Sequence, residues 1–217
     1  MRHGLFGLVT STVMISALTI GPPSGRWDRL SIVSAYVCLI LYAWALVIGP
    51  IRVLRNRPPQ LNVYLRRDIG IWAAISGLLH LLIGTDVSMS PVYLGKFITG
   101  PDGFASAEIR SGLFSWGSIT GFVAGLIFLL LLALSNDYVL RWLGPKWWKR
   151  LQRSSYTAFF LFVLHGYAFQ ALELRAWPLV GTLVAVTVAV LWLQIRGARA
   201  TRDARAIAKP HLRPDPR

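Results

Sequence analysis

Leu30–Val53, reading LSIVSAYVCLILYAWALVIGPIRV, holds no charged residue before Arg52. A helix crossing the hydrocarbon core of a bilayer needs about 20 mostly apolar residues, and this run is long enough to cross. Working outward, five further stretches satisfy the same requirement: Gly4–Pro22, Asp68–Gly84, Leu113–Ser135, Ser154–Glu173 and Ala176–Ile195. The pattern predicts an all-α integral membrane protein, a bundle of six transmembrane helices. Arg2 ahead of the first run gives it the look of a secretory leader. However, no small-x-small cleavage site follows it, and Gly21-Pro22-Pro23 reads as a turn, so the first run is expected to stay as a helix.

The composition agrees with a membrane protein. Of 217 residues, 54% are hydrophobic and 15% charged, where soluble domains carry about 25% charged residues. The mean hydropathy is +0.52. These values exclude a soluble enzyme, a disordered chain and a secreted disulfide scaffold. The single cysteine, Cys38, lies inside an apolar run and has no partner for an internal disulfide.

The net charge of +14 suggests nucleic acid, but its distribution argues against that partner. Lys and Arg fall in short blocks between the apolar runs, and such blocks mark the cytoplasmic face of membrane proteins and attract anionic lipid. With six spans, the termini and the second and fourth connections hold 18 of the 23 basic residues, and the other three connections hold five. The asymmetry predicts both termini in the cytoplasm. The longest external segment is then Thr85–Gly112. Its Met-Ser-Pro, Thr-Gly-Pro and Asp-Gly punctuation argues against a long regular element. Residues 196–217 form a basic cytoplasmic tail, expected to extend the last helix and fray. There is no internal repeat and no inverted repeat of the transporter kind.

Ionisable groups inside a span are costly and are candidates for function. No Asp, Glu, Lys or Arg lies mid-span, which argues against an ion-coupled transporter. Histidine remains. His3 and His211 lie in the polar ends and carry no expectation. His80 is 13 residues beyond Arg67, about 20 Å along a helix, and His165 is 12 beyond Arg153, about 18 Å. Both helices enter from the cytoplasmic side, so the two imidazoles are expected at one level in the outer half of the bilayer. Two imidazoles at one level on two helices can hold a haem between them. Gly77 and Gly84, three and four residues from His80, and Gly166, next to His165, would make room for it. The plainer alternative is that each histidine hydrogen-bonds a neighbouring helix while the glycines allow close packing.

Three segments carry a family resemblance. They are Leu65–Trp72 leading to Leu79-His80, Tyr93–Thr99 in the external loop, and Leu143–Gln152 followed by Tyr156 and Leu164-His165. In their order and spacing over about residues 64–170, the chain resembles the ferric-reductase-like transmembrane family. It is most similar within that family to the haem-binding membrane subunits of bacterial periplasmic methionine-sulfoxide reductase systems. The resemblance implies one such domain over residues 1–217, in a cell inner (plasma) membrane, with b-type haem held between the third and fifth helices. His80 and His165 would be the metal ligands. Members of the family usually place a second histidine thirteen residues ahead of the one matching His165, and here that position is Gln152. Larger members have a further histidine about fourteen residues ahead of the one matching His80, and here that position is Arg66. One haem per chain is therefore expected.

The chain is expected to be an electron conduit within an oxidoreductase system rather than a self-contained enzyme. It lacks a Gly-x-Gly-x-x-Gly fingerprint after a strand. Electrons would come from a quinol or a separate flavin reductase and leave to an acceptor protein or ferric chelate on the outer side. The resemblance also brings FMN and quinone into consideration, although no residue pattern singles out either. A haem-free scaffold or assembly subunit stays open as an alternative, and a small-solute transporter is a more remote one.

Overall fold

The computed structural model describes residues 2–20, 25–55, 62–89 and 107–208. Among them every regular element is a helix. In chain order these are α1 (Arg2–Thr19), α2 (Arg26–Leu54), α3 (Asn62–Met89), α4 (Ala107–Ala133), α5 (Asp137–Gln152), α6 (Ser154–Glu173) and α7 (Trp177–Ala208). Four of them, α2, α3, α4 and α7, are long and apolar enough to cross a membrane. α1 contains a shorter apolar stretch, His3–Ser16. α6 is 20 residues long but is diluted by His165 and Gln170. The expected membrane character therefore holds. Large apolar side chains on the outside, such as Leu126 and Leu129 on α4 and Val188 and Leu191 on α7, are exposed as a lipid-facing surface would be.

The bundle is arranged around α2. That helix packs on α3 and α7, α4 packs on α6 and α3, and α1 lies against α2 and α3. Lipid tails are as apolar as the side chains, so helix association rests on close packing and internal hydrogen bonds. One half of the bundle shows both. Cys38, Leu39, Tyr42, Leu46, Ala73, Ala74, Phe128, Ala158, Phe159 and Phe162 form a buried cluster. The Tyr42 and Phe128 rings meet edge to face with centroids 4.9 Å apart. The Tyr42 hydroxyl donates to the Ser155 carbonyl at 2.6 Å.

Pro50 within α2 shows how a local defect becomes a tertiary contact. Proline has no N–H, so the carbonyl four residues earlier, on Leu46, loses its helical donor. Gln194 of α7 supplies the missing bond, its Nε2 donating to the Leu46 carbonyl at 2.9 Å. Gly197, one turn on, faces the proline ring, and a Cβ there would come within 2.8 Å of the Pro50 Cβ. A proline and a glycine thus fix the register of α2 against α7.

Boundaries depart from expectation at several helix ends, α3 beginning at Asn62 and α4 at Ala107, ahead of the expected spans, while the tail extends the last helix as read. α3 runs on to Met89, so the first residues of the expected external loop are helical. Its Tyr93–Thr99 segment lies outside the described residues. α7 continues to Ala208, so most of the basic tail is a continuous extension of the last helix, and residues 209–217 fall outside the described residues. The fourth connection, read as a basic loop, contains α5. Asn136 caps it by accepting from the Tyr138 N–H at 2.9 Å, and Gly144, at φ 71°, breaks it into two short arms ahead of Pro145.

Candidate cofactor site

The two mid-span histidines meet. The ring centroids of His80 on α3 and His165 on α6 stand 5.8 Å apart, with their planes crossed at 71°. Each ring is held from behind by a backbone carbonyl of another helix. His80 Nδ1 lies 2.8 Å from the Ser31 carbonyl of α2. His165 Nδ1 lies 2.8 Å from the Gly117 carbonyl of α4. A carbonyl oxygen only accepts, so in both rings the hydrogen sits on Nδ1. Nε2 is then the unprotonated nitrogen, with its lone pair available. This is the arrangement by which an outer hydrogen bond orients a metal-binding histidine and selects its tautomer.

The rings border an open-sided cavity of about 430 Å3 lined by α2, α3, α4, α6 and the start of α7, within the size range of small-molecule and cofactor sites. Its walls are mostly apolar: Leu39, Leu81, Phe122, Phe128, Phe162 and Phe169 contribute. Gly77 and Gly84 line it as expected, and so does Gly166. Their surroundings differ. A Cβ on Gly84 would lie 3.4 Å from the His80 ring, an ordinary contact distance, and 3.3 Å from the Ser31 hydroxyl. A Cβ on Gly77 would meet Cys38 and Phe128 at 3.0 Å, and one on Gly166 would meet Leu183 at 3.1 Å. Gly77 and Gly166 serve helix packing around the cavity more than clearance at the rings.

The glycine that matters most for His165 is on α4. A Cβ on Gly121 would run into the His165 ring. Gly117, Gly121 and Gly125 recur every four residues and so share one face of α4. Gly117 gives its carbonyl to His165, Gly121 gives its missing side chain to the same ring, and Gly125 accommodates Leu81. The spacing was visible in the sequence. The pairing with a histidine 44 residues away was not.

The end of the cavity toward Asp28 and Glu173 is polar. Tyr36 donates its hydroxyl hydrogen to the Leu179 carbonyl at 2.8 Å and accepts from Gln170 Nε2 at 2.5 Å. Leu174 closes α6 in the left-handed region, at φ 48°. Just beyond this turn Arg175 pairs with Glu173, and with Asp28 at 3.8 Å. Sequence reading used Arg175 and Glu173 only as boundary marks and gave Asp28, Tyr36 and Gln170 no role. It also set His3 aside, whereas His3 Nε2 contacts the buried Asp68 at 3.0 Å and ties α1 to α3. His211 lies outside the described residues.

The other two positions considered for ligands differ in kind. Arg66 is exposed and Gln152 is half-buried. Neither offers the lone pair on nitrogen that a metal takes from neutral imidazole. Among the described residues there is no group of three or more His, Cys, Asp and Glu able to hold a bare metal ion. The donor set is a pair of imidazoles, which suits a metal whose remaining positions are filled by a macrocycle. Ring centroids 5.8 Å apart bring the two imidazoles within reach of one shared metal. Two neutral imidazoles on one apolar cavity are a donor set that haem iron accepts. No family model and no solved structure matches this chain.

Proposed function

We propose that the protein is a haem b-binding electron-transfer protein of the ferric-reductase-like kind. In this reading α1, α2, α3, α4, α6 and α7 are its six spans, and both termini lie on the cytoplasmic side of a plasma (inner) membrane. The observation that carries the reading is the pair of imidazoles, each with Nδ1–H bound to a backbone carbonyl and each bordering one apolar cavity. When bound, haem supplies a one-electron couple that the amino acids here do not. The chain's own contribution is orientation and exclusion of water. The Ser31 and Gly117 carbonyls fix both rings, Gly121 clears space for His165, and Phe122, Phe162 and Phe169 keep the surroundings apolar. The topology rests on the unequal division of Lys and Arg between the two sets of connections. The donor in this reading is a quinol or a separate flavin reductase, and the acceptor is an outer-side protein or ferric chelate.

The test is the visible spectrum of the purified chain, reduced minus oxidised, with haem counted per chain by pyridine hemochrome. A sharp reduced alpha band and one haem per chain are expected, lost in His80→Ala and in His165→Ala. A chain expressed with haem available that purifies without it would leave the histidines as bridges between helices and favour the scaffold reading. Two haems per chain would overturn the ligand assignment. A reporter fused at the C-terminus should behave as cytoplasmic.

A further inference from the structure

The function proposed above makes no use of α5, although this helix has an unusual surface. None of its 16 residues is buried. One side, with Val139, Leu140, Leu143, Trp148 and Leu151, is half-covered by the protein. The other side presents Tyr138, Trp142 and Trp147, which are 68%, 77% and 57% exposed. Arg141, Lys146, Lys149 and Arg150 are exposed as well. No acidic residue occurs from Tyr138 to Arg153, and Asp137 at the helix start is engaged by Arg67 of α3 at 2.6 Å. The exposed face is thus uniformly cationic and rich in tryptophan.

The level at which this face sits follows from its attachments. Trp148 Nε1 donates to the Leu134 carbonyl at 2.8 Å, immediately beyond the end of α4. A single residue, Arg153, separates α5 from α6. The helix therefore lies where two apolar helices end, the depth at which phosphate headgroups replace acyl chains. Arg150 stacks on the Trp147 ring with its guanidinium carbon 5.4 Å from the centroid, so aromatic and cation are presented together. A surface made only for an acidic soluble protein needs the charges but not two tryptophans exposed beside the membrane boundary. A helix lying in the interface uses both, its rings among the upper acyl chains and its cations on the phosphates.

We propose that the exposed face of α5 binds anionic phospholipid headgroups of the leaflet in which it lies, through Lys146, Lys149 and Arg150, with Trp142 and Trp147 inserted beside them. The occupant is lipid, selected by charge.

The test uses the full chain reconstituted into mixed vesicles of phosphatidylglycerol and phosphatidylcholine, with brominated acyl chains on one lipid or the other, and reads tryptophan fluorescence. Wild type is expected to be quenched more strongly when the anionic lipid carries the bromine. The excess should fall toward zero in the K146Q/K149Q/R150Q triple variant, and also in W142F/W147F, which removes the reporting rings. It should shrink in 0.5 M salt as headgroup charge is screened, the Debye length there being below about 5 Å. If the triple variant fails to fold, Lys146→Gln and Lys149→Gln singly should each lower the excess part-way. Equal quenching by the two brominated lipids in wild type would overturn the proposal, as would an excess that survives loss of the three charges. A face reserved for a soluble protein would give the first of these results.

Discussion

The two halves of the bundle are built from the same helices but in opposite ways. In one half Tyr42 and Phe159 pack with Cys38, Ala73 and Ala158, and Phe128 and Phe162 belong both to this cluster and to the cavity wall. In the other half, along those helices, His80 and His165 border a cavity of about 430 Å3, and Gly121 leaves the space that the His165 ring takes. Both halves are apolar, so hydropathy does not tell them apart. Packing does, with side chains filling one end and open space beside His80 and His165 at the other.

The contrast predicts that substitutions in the two halves have different consequences. The largest effect is expected from Gly121→Val. Its branched side chain would occupy the place of the His165 ring, so bound haem should be lost, as measured by the reduced alpha band per chain. The thermal midpoint of the protein prepared without haem should stay close to that of wild type prepared the same way. Phe159→Ala should do the reverse. Removing a ring that is 6% exposed costs about 3 kcal/mol, seen as a lower midpoint of thermal unfolding in detergent, with one haem per folded chain retained. A large loss of haem in Phe159→Ala at temperatures where the chain is folded would show that the two halves are not separable.

A smaller effect is expected at the joint between α2 and α7. Gln194→Leu leaves the Leu46 carbonyl without the donor that replaces the missing N–H of Pro50. Bonds of this kind within membranes are worth about 1 kcal/mol. The thermal midpoint should fall slightly and the spectrum should not change. The smallest effect, none on haem content, is expected for Gln152→Ala. This residue lies at the far end of α5 from the cap, and an amide is no ligand for iron. A changed haem count in that variant would bring Gln152 into the site.

Much of this contrast was legible in the sequence, and what escaped has a physical explanation. The apolar runs gave the long helices, because bilayer thickness sets a minimum run that few other structures need. The depth match of His80 and His165 followed from counting residues at a fixed rise from two basic boundaries. α5 escaped because Gly144-Pro145 divides sixteen residues into two arms, each too short to show a clear helical period. The carbonyls of Ser31 and Gly117 escaped for a different reason. A backbone acceptor has no signature in side-chain identity, so nothing at positions 31 or 117 announces it. Gly121 was readable as one of a row of glycines on α4, but its partner came from another helix.

The clearance at Gly121 bears on how the chain can change over time. The atoms absent from position 121 are the space in which the His165 imidazole lies, so the two positions behave as a single heritable unit. A drift from glycine to alanine, harmless on most helix faces, would here displace a ring. Conversely, a chain that had given up the imidazole at 165 would lose this restraint on 121. Among descendants of this fold, any side chain at 121 and a histidine at 165 should therefore exclude each other, while Gly77, whose neighbours are Cys38 and Phe128, should vary with those residues instead.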